Sequence, residues 1–554
     1  MRAFGRFSTR RAGRAILVGV GLVVSACGGP AVAPTGSAET VPTPSAGPAT
    51  TPSPAVAPTP EPAGAAWSWV VNLPSAGDAP VLTGDDGTVY VTDRADTCDL
   101  RVHAYDQAGR EQARWPVCAV ATGSGTLTLA SAGMLYVSAN GRLSGIDPSG
   151  AVSPGWPREG WNTVAVKLGA AVVQASQVPP RTLLAYDPTG ADLPGWPVTV
   201  AGGIIDPVLT TPDGSLAILY LEASTGHRSV TVIDPDGSTR PGWPVRLPKT
   251  MDGRSAVMDL VTADGRIVVR SNEPWPAEPT IASMMRLQAR VLAIMPNGSI
   301  PEGWPVPLDQ PLSQVVAGPG NRLVAIAGNV LYGETIGAAP AGPFSVVALE
   351  PDGRAASGWP VRLPADAVPE AEASGAGILQ PWALPPVVGD DGLVVVTLGG
   401  YGPADPDSLV LIDGDGTIAT RYELPATQRL SHGVPATPSG PAILPVVIGG
   451  RALVAITLRT ASATGELPGP TDVDAPFALA STHADLAATT VGWQDALMAV
   501  DRNGAVAGWP LLLPGDGFIS QVILPGNGSV VVSGSADGGR VVAAVDPLRT
   551  GGSE

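Results

Sequence analysis

The sequence predicts an all-β fold, a single β-propeller ring of eight or nine four-stranded blades. Three observations lead there. Glycine and proline supply 69 and 59 of the 554 residues, a density of turn formers that disfavours long helices and excludes a helical bundle. Hydrophobic residues make up 44% of the chain, enough apolar surface to offset the entropy of ordering a large core. The third observation is a short pattern that recurs along most of the sequence with fixed internal spacing.

The pattern is a turn of the form Asp-x-x-Gly followed, nine residues after its first position, by an aromatic residue. Its copies start at Asp106, Asp147, Asp187, Asp234, Met295, Glu350 and Asp413, paired with Trp115, Trp156, Trp196, Trp243, Trp304, Trp359 and Tyr422. A copy shortened by one residue runs from Asp501 to Trp509. Segments before the turn, such as Val230-Thr231-Val232-Ile233, are β-rich, and Asp-Pro-x-Gly pre-sets the dihedrals of a tight turn, so each copy reads as a hairpin. Proline after the tryptophan cannot donate to a ladder, which places the Trp-Pro strand at a sheet edge. Upstream, Asp-Gly or Asn-Gly steps at Asp86-Gly87, Asp213-Gly214, Asp264-Gly265, Asp391-Gly392 and Asn527-Gly528 suit a second hairpin. Four strands per unit make a small sheet that must pack on its neighbours.

The run Val-x-Ala-x-Asp-Pro-x-Gly followed by Gly-Trp-Pro-Val resembles the repeat of the quinoprotein-like propeller family, over about Trp67 to Asp546. The resemblance implies the ring architecture. Nine aromatic strands are counted if Trp67 or Trp69 opens the series, and the unpartnered strand Val541 to Val545 predicts closure by pairing the two ends of the chain in one blade. The fixed place of the tryptophans predicts packing between adjacent blades.

Residues 1–27 carry the marks of an export signal: Arg2, Arg6, Arg10, Arg11 and Arg14 precede an apolar run from Ala15 to Ala26, shorter than a spanning helix. Val24-Ser25-Ala26-Cys27 resembles the bacterial lipobox, which implies a diacylated Cys27, the membrane as a partner through that lipid anchor, and a site in the bacterial cell envelope outside the cytoplasmic membrane. Residues 28–64 are rich in Pro, Ala and Thr, and cannot form a core. They read as a tether that at ~3.1 Å per residue reaches on the order of 100 Å. Residues 65–554 form the propeller domain.

A formal charge of -17 argues against nucleic acid as a partner, because phosphate binding needs clustered cations. In an exported protein Cys98 and Cys118 are candidates for a disulfide. Positions paired across an Asp106 to Gly109 turn sum to about 215 or 216, which puts these two opposite each other; two buried thiols are the alternative.

Chemistry is sparsely signalled. The four histidines, His103, His227, His432 and His483, lack metal-ligand spacing, and no nucleophile elbow, Walker loop or dinucleotide fingerprint stands in context. Dehydrogenases of the resembling family use adjacent cysteines beside a quinone and calcium, whereas the three cysteines here are all separated. No cofactor and no metal are expected. Asp413 to Gly416 holds the repeat's turn and lacks the later ligands of a calcium loop.

Strand direction alternates within a blade, so the two tight turns share one rim and the other two connections share the opposite one. All the long insertions are expected on this second rim: 272–288, 329–343, 365–380, 399–408, 426–440 and 460–491. Long loops on a rigid scaffold carry binding. Trp275, Tyr332, Trp382, Tyr401 and Trp493 lie in or beside them and are the candidate ligand-binding residues, the alternative being insertions without a ligand. The expected function is a lipid-anchored, non-catalytic module that binds a protein or a glycan, with a quinoprotein-type dehydrogenase or other propeller enzyme as the alternative.

Overall fold

A computed structural model describes residues 67–75, 80–120, 125–159, 165–169, 171–175, 182–200, 202–251, 256–274, 287–328, 344–363, 385–398, 407–425, 428–431, 443–459, 493–515, 517–525, 528–536 and 539–548. The signal region, the tether and Cys27 lie outside these residues. The described strands form nine separate antiparallel sheets. Each is a blade whose strands, in order of pairing, are termed A to D. Blade 1 comprises Leu82–Thr83, Val89–Ala95, Cys98–Tyr105 and Val117–Val120. Blades 2 to 8 occupy residues 125–159, 165–199, 202–246, 257–308, 316–362, 387–423 and 428–512. The A strands of neighbouring blades meet around the axis, for example Gly202–Thr210 with Val257–Val261, and the D strands lie at the outer edges.

Blade 9 decides the count. Its A to C strands are Gly517–Ile523, Val530–Ala536 and Gly539–Val545, and its D strand is Trp69–Leu73 from the other end of the chain. The pairing runs from Trp69 opposite Ala544 to Leu73 opposite Arg540. Ring closure is therefore secured by backbone hydrogen bonds between segments far apart in sequence.

Each repeat turn is closed by a glycine N–H donating to the first residue's carbonyl, as Gly190 to Asp187 and Gly237 to Asp234, both at 2.9 Å. One bridge follows, such as Tyr186 with Asp192. The chain then leaves the ladder through a loop ending in a cis Trp-Pro bond and rejoins as strand D. That excursion shifts the register: in blade 1 Val102 pairs with Val117 and Arg101 with Cys118, not the residues a continuous hairpin aligns. Cys98 and Cys118 are joined by a disulfide, their Cα atoms 5.8 Å apart, which fastens strand D to strand C. Tyr422 departs from the tryptophan pattern. Without a following proline, it stays in the ladder of Ile418–Glu423, opposite Leu409.

The tryptophans join blades. Trp156, Trp196 and Trp243 are buried at 7–8% exposure, and their indole N–H groups donate to Pro188, Pro235 and Pro296 of the next blade's turn at 3.0, 3.0 and 3.1 Å. Trp115 reaches Pro148 in the same way at 3.3 Å. At the closure Trp69 plays this part, donating to Gln107 of blade 1 at 3.0 Å, while Trp67 turns back to Leu512 of blade 8 at 2.8 Å. In blades 5 and 6 an arginine supplies the donor instead: Arg266 to Pro351 at 2.8 Å and Arg322 to Gly414. A guanidinium makes the stronger, charge-assisted bond, and the Trp304 and Trp359 indoles are left without acceptors.

The core follows the same logic. Every buried apolar cluster among the described residues crosses a blade boundary, as Leu183 and Trp196 of blade 3 pack with Leu216 and Ile218 of blade 4. The glycine before tryptophan makes this approach possible. Gly195 has φ +83°, and a Cβ there would lie 1.8 Å from the Asp236 carbonyl oxygen. Gly226, at φ +71°, faces open space.

The turn aspartates are held ionised. Hydrogen bonds from the Ser149 and Thr189 side chains, together with turn N–H groups, hold the Asp147 and Asp187 carboxyls below their usual range. Asp106, Asp236 and Asp415 are lowered by similar bonds. A carboxylate with a depressed folded-state pKa contributes stability that is present above the unfolded value, near pH ~4, and lost as pH falls through the folded value. Denaturant midpoints measured from pH 6 downward are accordingly expected to hold until about pH 4 and then fall, with the fall shallower in Asp147→Asn and Asp187→Asn variants. Gly195→Ala is expected to cost about 2 kcal/mol or more and Gly226→Ala about 1 kcal/mol, both read from chemical unfolding; equal losses would mean that the inter-blade contact adds nothing.

Candidate functional site

Two rims follow from strand direction. The A–B and C–D turns, such as 84–88 and 106–110, lie on a hairpin rim, and the B–C and D–A connections lie on the other. In blades 1 and 2 the B–C links are short: Ala95 is followed by Cys98 after two residues, and Ala139 by Arg142. In blade 5 strand B ends at Pro274 and strand C begins at Leu287. The corresponding ends are Ala327 and Ser345 in blade 6, Leu398 and Ser408 in blade 7, and Arg459 and Trp493 in blade 8. The link from blade 6 to blade 7 leaves after Arg362 and returns at Val387. These strand ends all lie on the second rim, in four consecutive blades.

One expected insertion is placed differently. The link between blades 7 and 8 is short, Glu423 to Gln428, and residues 432–442 instead interrupt strand A of blade 8. Its two pieces, Gln428–Leu430 and Val446–Ile448, pair with opposite ends of Arg451–Arg459. That strand is long enough to template both, so strand A is split into two pieces, and residues 432–442 lie outside the described residues.

Trp275, Tyr332, Trp382 and Tyr401 lie outside the described residues. Trp493 opens strand C of blade 8 with its backbone opposite Arg459, at the edge of the rim. Cys98 and Cys118 sit together in blade 1, as described above.

Blade 1 also carries a charged cluster where it meets blade 9. Asp93, fully buried, accepts from Arg101 Nε at 2.7 Å and lies 3.0 Å from His103 Nε2. His103 Nδ1 lies 2.6 Å from Glu111 Oε1. Burial pushes the Tyr105 phenol beside them far up, and that of Tyr90 up to about 12. Val89, Val91 and Tyr105 pack against Leu73, Val531 and Val542 of blade 9. Arg540 of blade 9 donates to the Thr92 hydroxyl at 3.1 Å. Asp93, Arg101, His103 and Glu111 are paired among themselves within blade 1, while the neighbouring Val89, Val91, Thr92 and Tyr105 make the contacts of the closure seam.

Two hollows open on the hairpin rim. The first, about 300 Å³, is lined by Val81, Leu82, Thr83, Asp85, Leu129, Ala130 and Ile523, where the inner strands of blades 9, 1 and 2 converge. The second, about 380 Å³, lies between the two turns of blade 1, and apart from Ala108 the residues in its wall are polar: Asp86, Thr88, Asp106, Gln107, Arg110 and Gln112. Sequence reading passed over both, although one signal was present: Gln107 stands where the following turns have Pro148, Pro188 and Pro235. Among the described residues no group of three or more His, Cys, Asp or Glu is placed to hold a metal ion.

No protein-family model matches the chain, and no curated protein matches it. Solved structures do. A eukaryotic initiation factor is 12% identical with a TM-score of 0.44, covering 80% of this chain and 88% of its own. A streptogramin B lyase is 12% identical, with a TM-score of 0.32 and coverage of 59% and 94%. A quinoprotein alcohol dehydrogenase-like protein from Bacteroides thetaiotaomicron is 12% identical, with a TM-score of 0.30 and coverage of 64% and 66%. The chain is a nine-bladed β-propeller. At these identities the likeness is one of fold alone.

Proposed function

We propose that this propeller is a binding scaffold of the bacterial cell envelope, lipid-anchored through Cys27 outside the cytoplasmic membrane, without catalytic activity of its own, and that it engages a protein or glycan partner on the rim where the insertions of blades 5 to 8 begin and end. The observation that carries this reading is the clustering of those strand ends on one rim of consecutive blades, on a ring whose sheets are tied together at each boundary. A rigid base with long loops gathered in one sector suits recognition of a large ligand. The lipobox-like Val24-Ser25-Ala26-Cys27 supports the anchor, and two acyl chains supply enough buried methylene for stable attachment.

The native protein is expected to incorporate a metabolically supplied fatty acid and to sediment with membranes, and a Cys27→Ser variant to do neither; label retained in the variant would remove the anchor. Crosslinking on intact cells should capture a partner, and replacing Trp382 and Trp493 together with alanine should reduce that capture about tenfold, a loss of ~1.4 kcal/mol. Unchanged capture would count against this rim.

A further inference from the structure

We infer that the polar hollow on the hairpin rim of blade 1 is a binding site for a neutral sugar. It lies on the rim opposite the proposed partner surface and stands independently of it. The starting point is where the repeat breaks its own rule. At the second position of the turn, blades 2 to 6 carry Pro148, Pro188, Pro235, Pro296 and Pro351, and blade 1 carries Gln107. Five residues after Gln107 blade 1 has Gln112, at a position that varies from blade to blade and is held by Ser153, Leu193, Arg240, Pro301 and Ala356 in blades 2 to 6. Both glutamines line the hollow. A repeat that gives up its proline for an amide side chain at a position facing a cavity points to use of that cavity.

The wall is already ordered. Gln107 Nε2 donates to the Asp86 carbonyl at 2.9 Å, and Gln112 Nε2 donates to Thr88 Oγ1 at 3.0 Å. Thr88 Oγ1 in turn donates to Asp86 Oδ2 at 2.9 Å. Across the hollow Arg110 Nε donates to Asp106 Oδ2 at 3.0 Å, and the Trp69 indole holds the Gln107 carbonyl from behind. Each glutamine uses one amide N–H in these bonds, and an amide offers a second N–H and a carbonyl oxygen. Two such groups present donor and acceptor side by side, the pattern that adjacent hydroxyls of a sugar ring match.

The charges select against ionic ligands. Asp86 and Asp106 repel anions, on a chain whose formal charge is -17, while Arg110 opposes a cation at the same lip. The carboxylates remain good acceptors for hydroxyl donors. A volume of about 380 Å³ accommodates one or two sugar rings.

Saturation-transfer NMR and calorimetric titration of the full-length protein, with glucose, galactose, mannose, N-acetylglucosamine and trehalose as probes, test the assignment. At least one sugar is expected to bind with a dissociation constant on the order of 1 mM. Gln107→Pro installs the residue of the neighbouring turns and Gln112→Leu the residue of blade 3, so both variants should keep the native unfolding midpoint. Each should weaken the sugar about tenfold. Absence of transfer from every probe to the native protein would overturn the proposal. So would undiminished binding in both folded variants.

Discussion

The hydrogen bond from an indole N–H to the carbonyl of a neighbouring turn is the contact on which the ring depends. A four-stranded sheet of this size cannot bury both faces, and a turn carbonyl at its rim has no partner within its own blade. The tryptophan of one blade answers both needs of the next: its ring covers apolar side chains across the boundary, and its N–H reaches the exposed carbonyl. A neutral hydrogen bond of this kind contributes about 1 kcal/mol, and the buried ring contributes more through the apolar area it covers. The glycine before Trp156, Trp196 and Trp243 lets the two backbones approach closely. Where an arginine takes over the carbonyl, as at Pro351, the contact between blades is kept although the indole has lost its acceptor.

Much of the architecture was legible in the sequence because this contact repeats at fixed spacing. Asp187, Gly190 and Trp196 recur as a unit, and the tight turn is dictated by the residue types themselves. The closure was legible as well, since Val541 to Val545 is a strand with no partner nearby in sequence. The choice between eight and nine blades required the pairing of Trp69–Leu73 with the far end of the chain, a long-range contact that composition does not encode. Trp67 and Trp69 could not be separated by type, and only the neighbours distinguish them: one meets Gln107, the other Leu512. The register of strand D was misread because a cis Trp-Pro loop takes residues out of the ladder, which a sum rule for continuous hairpins does not allow for.

The candidate sites were less legible. Long insertions announce themselves by length, and strand alternation assigns them to a rim, but it does not foresee that strand A of blade 8 is split into two pieces because both find room on Arg451–Arg459. The polar hollow of blade 1 depends on two glutamines that are unremarkable as residue types. Gln107 becomes informative only against the prolines that hold its place in blades 2 to 6. A rigid ring makes both kinds of site possible, since loops and turns can vary from blade to blade while the indole contacts hold the scaffold constant.

Native-state hydrogen exchange in a Trp196→Ala variant tests most directly whether the blades are held together in this way. Trp196 belongs to blade 3, and the carbonyl it meets belongs to the turn of blade 4. Loss of protection is predicted at the amides of 234–238, across the boundary, while 187–191 in its own blade keeps native protection. Loss confined to blade 3, with the blade 4 turn unchanged, would contradict the account.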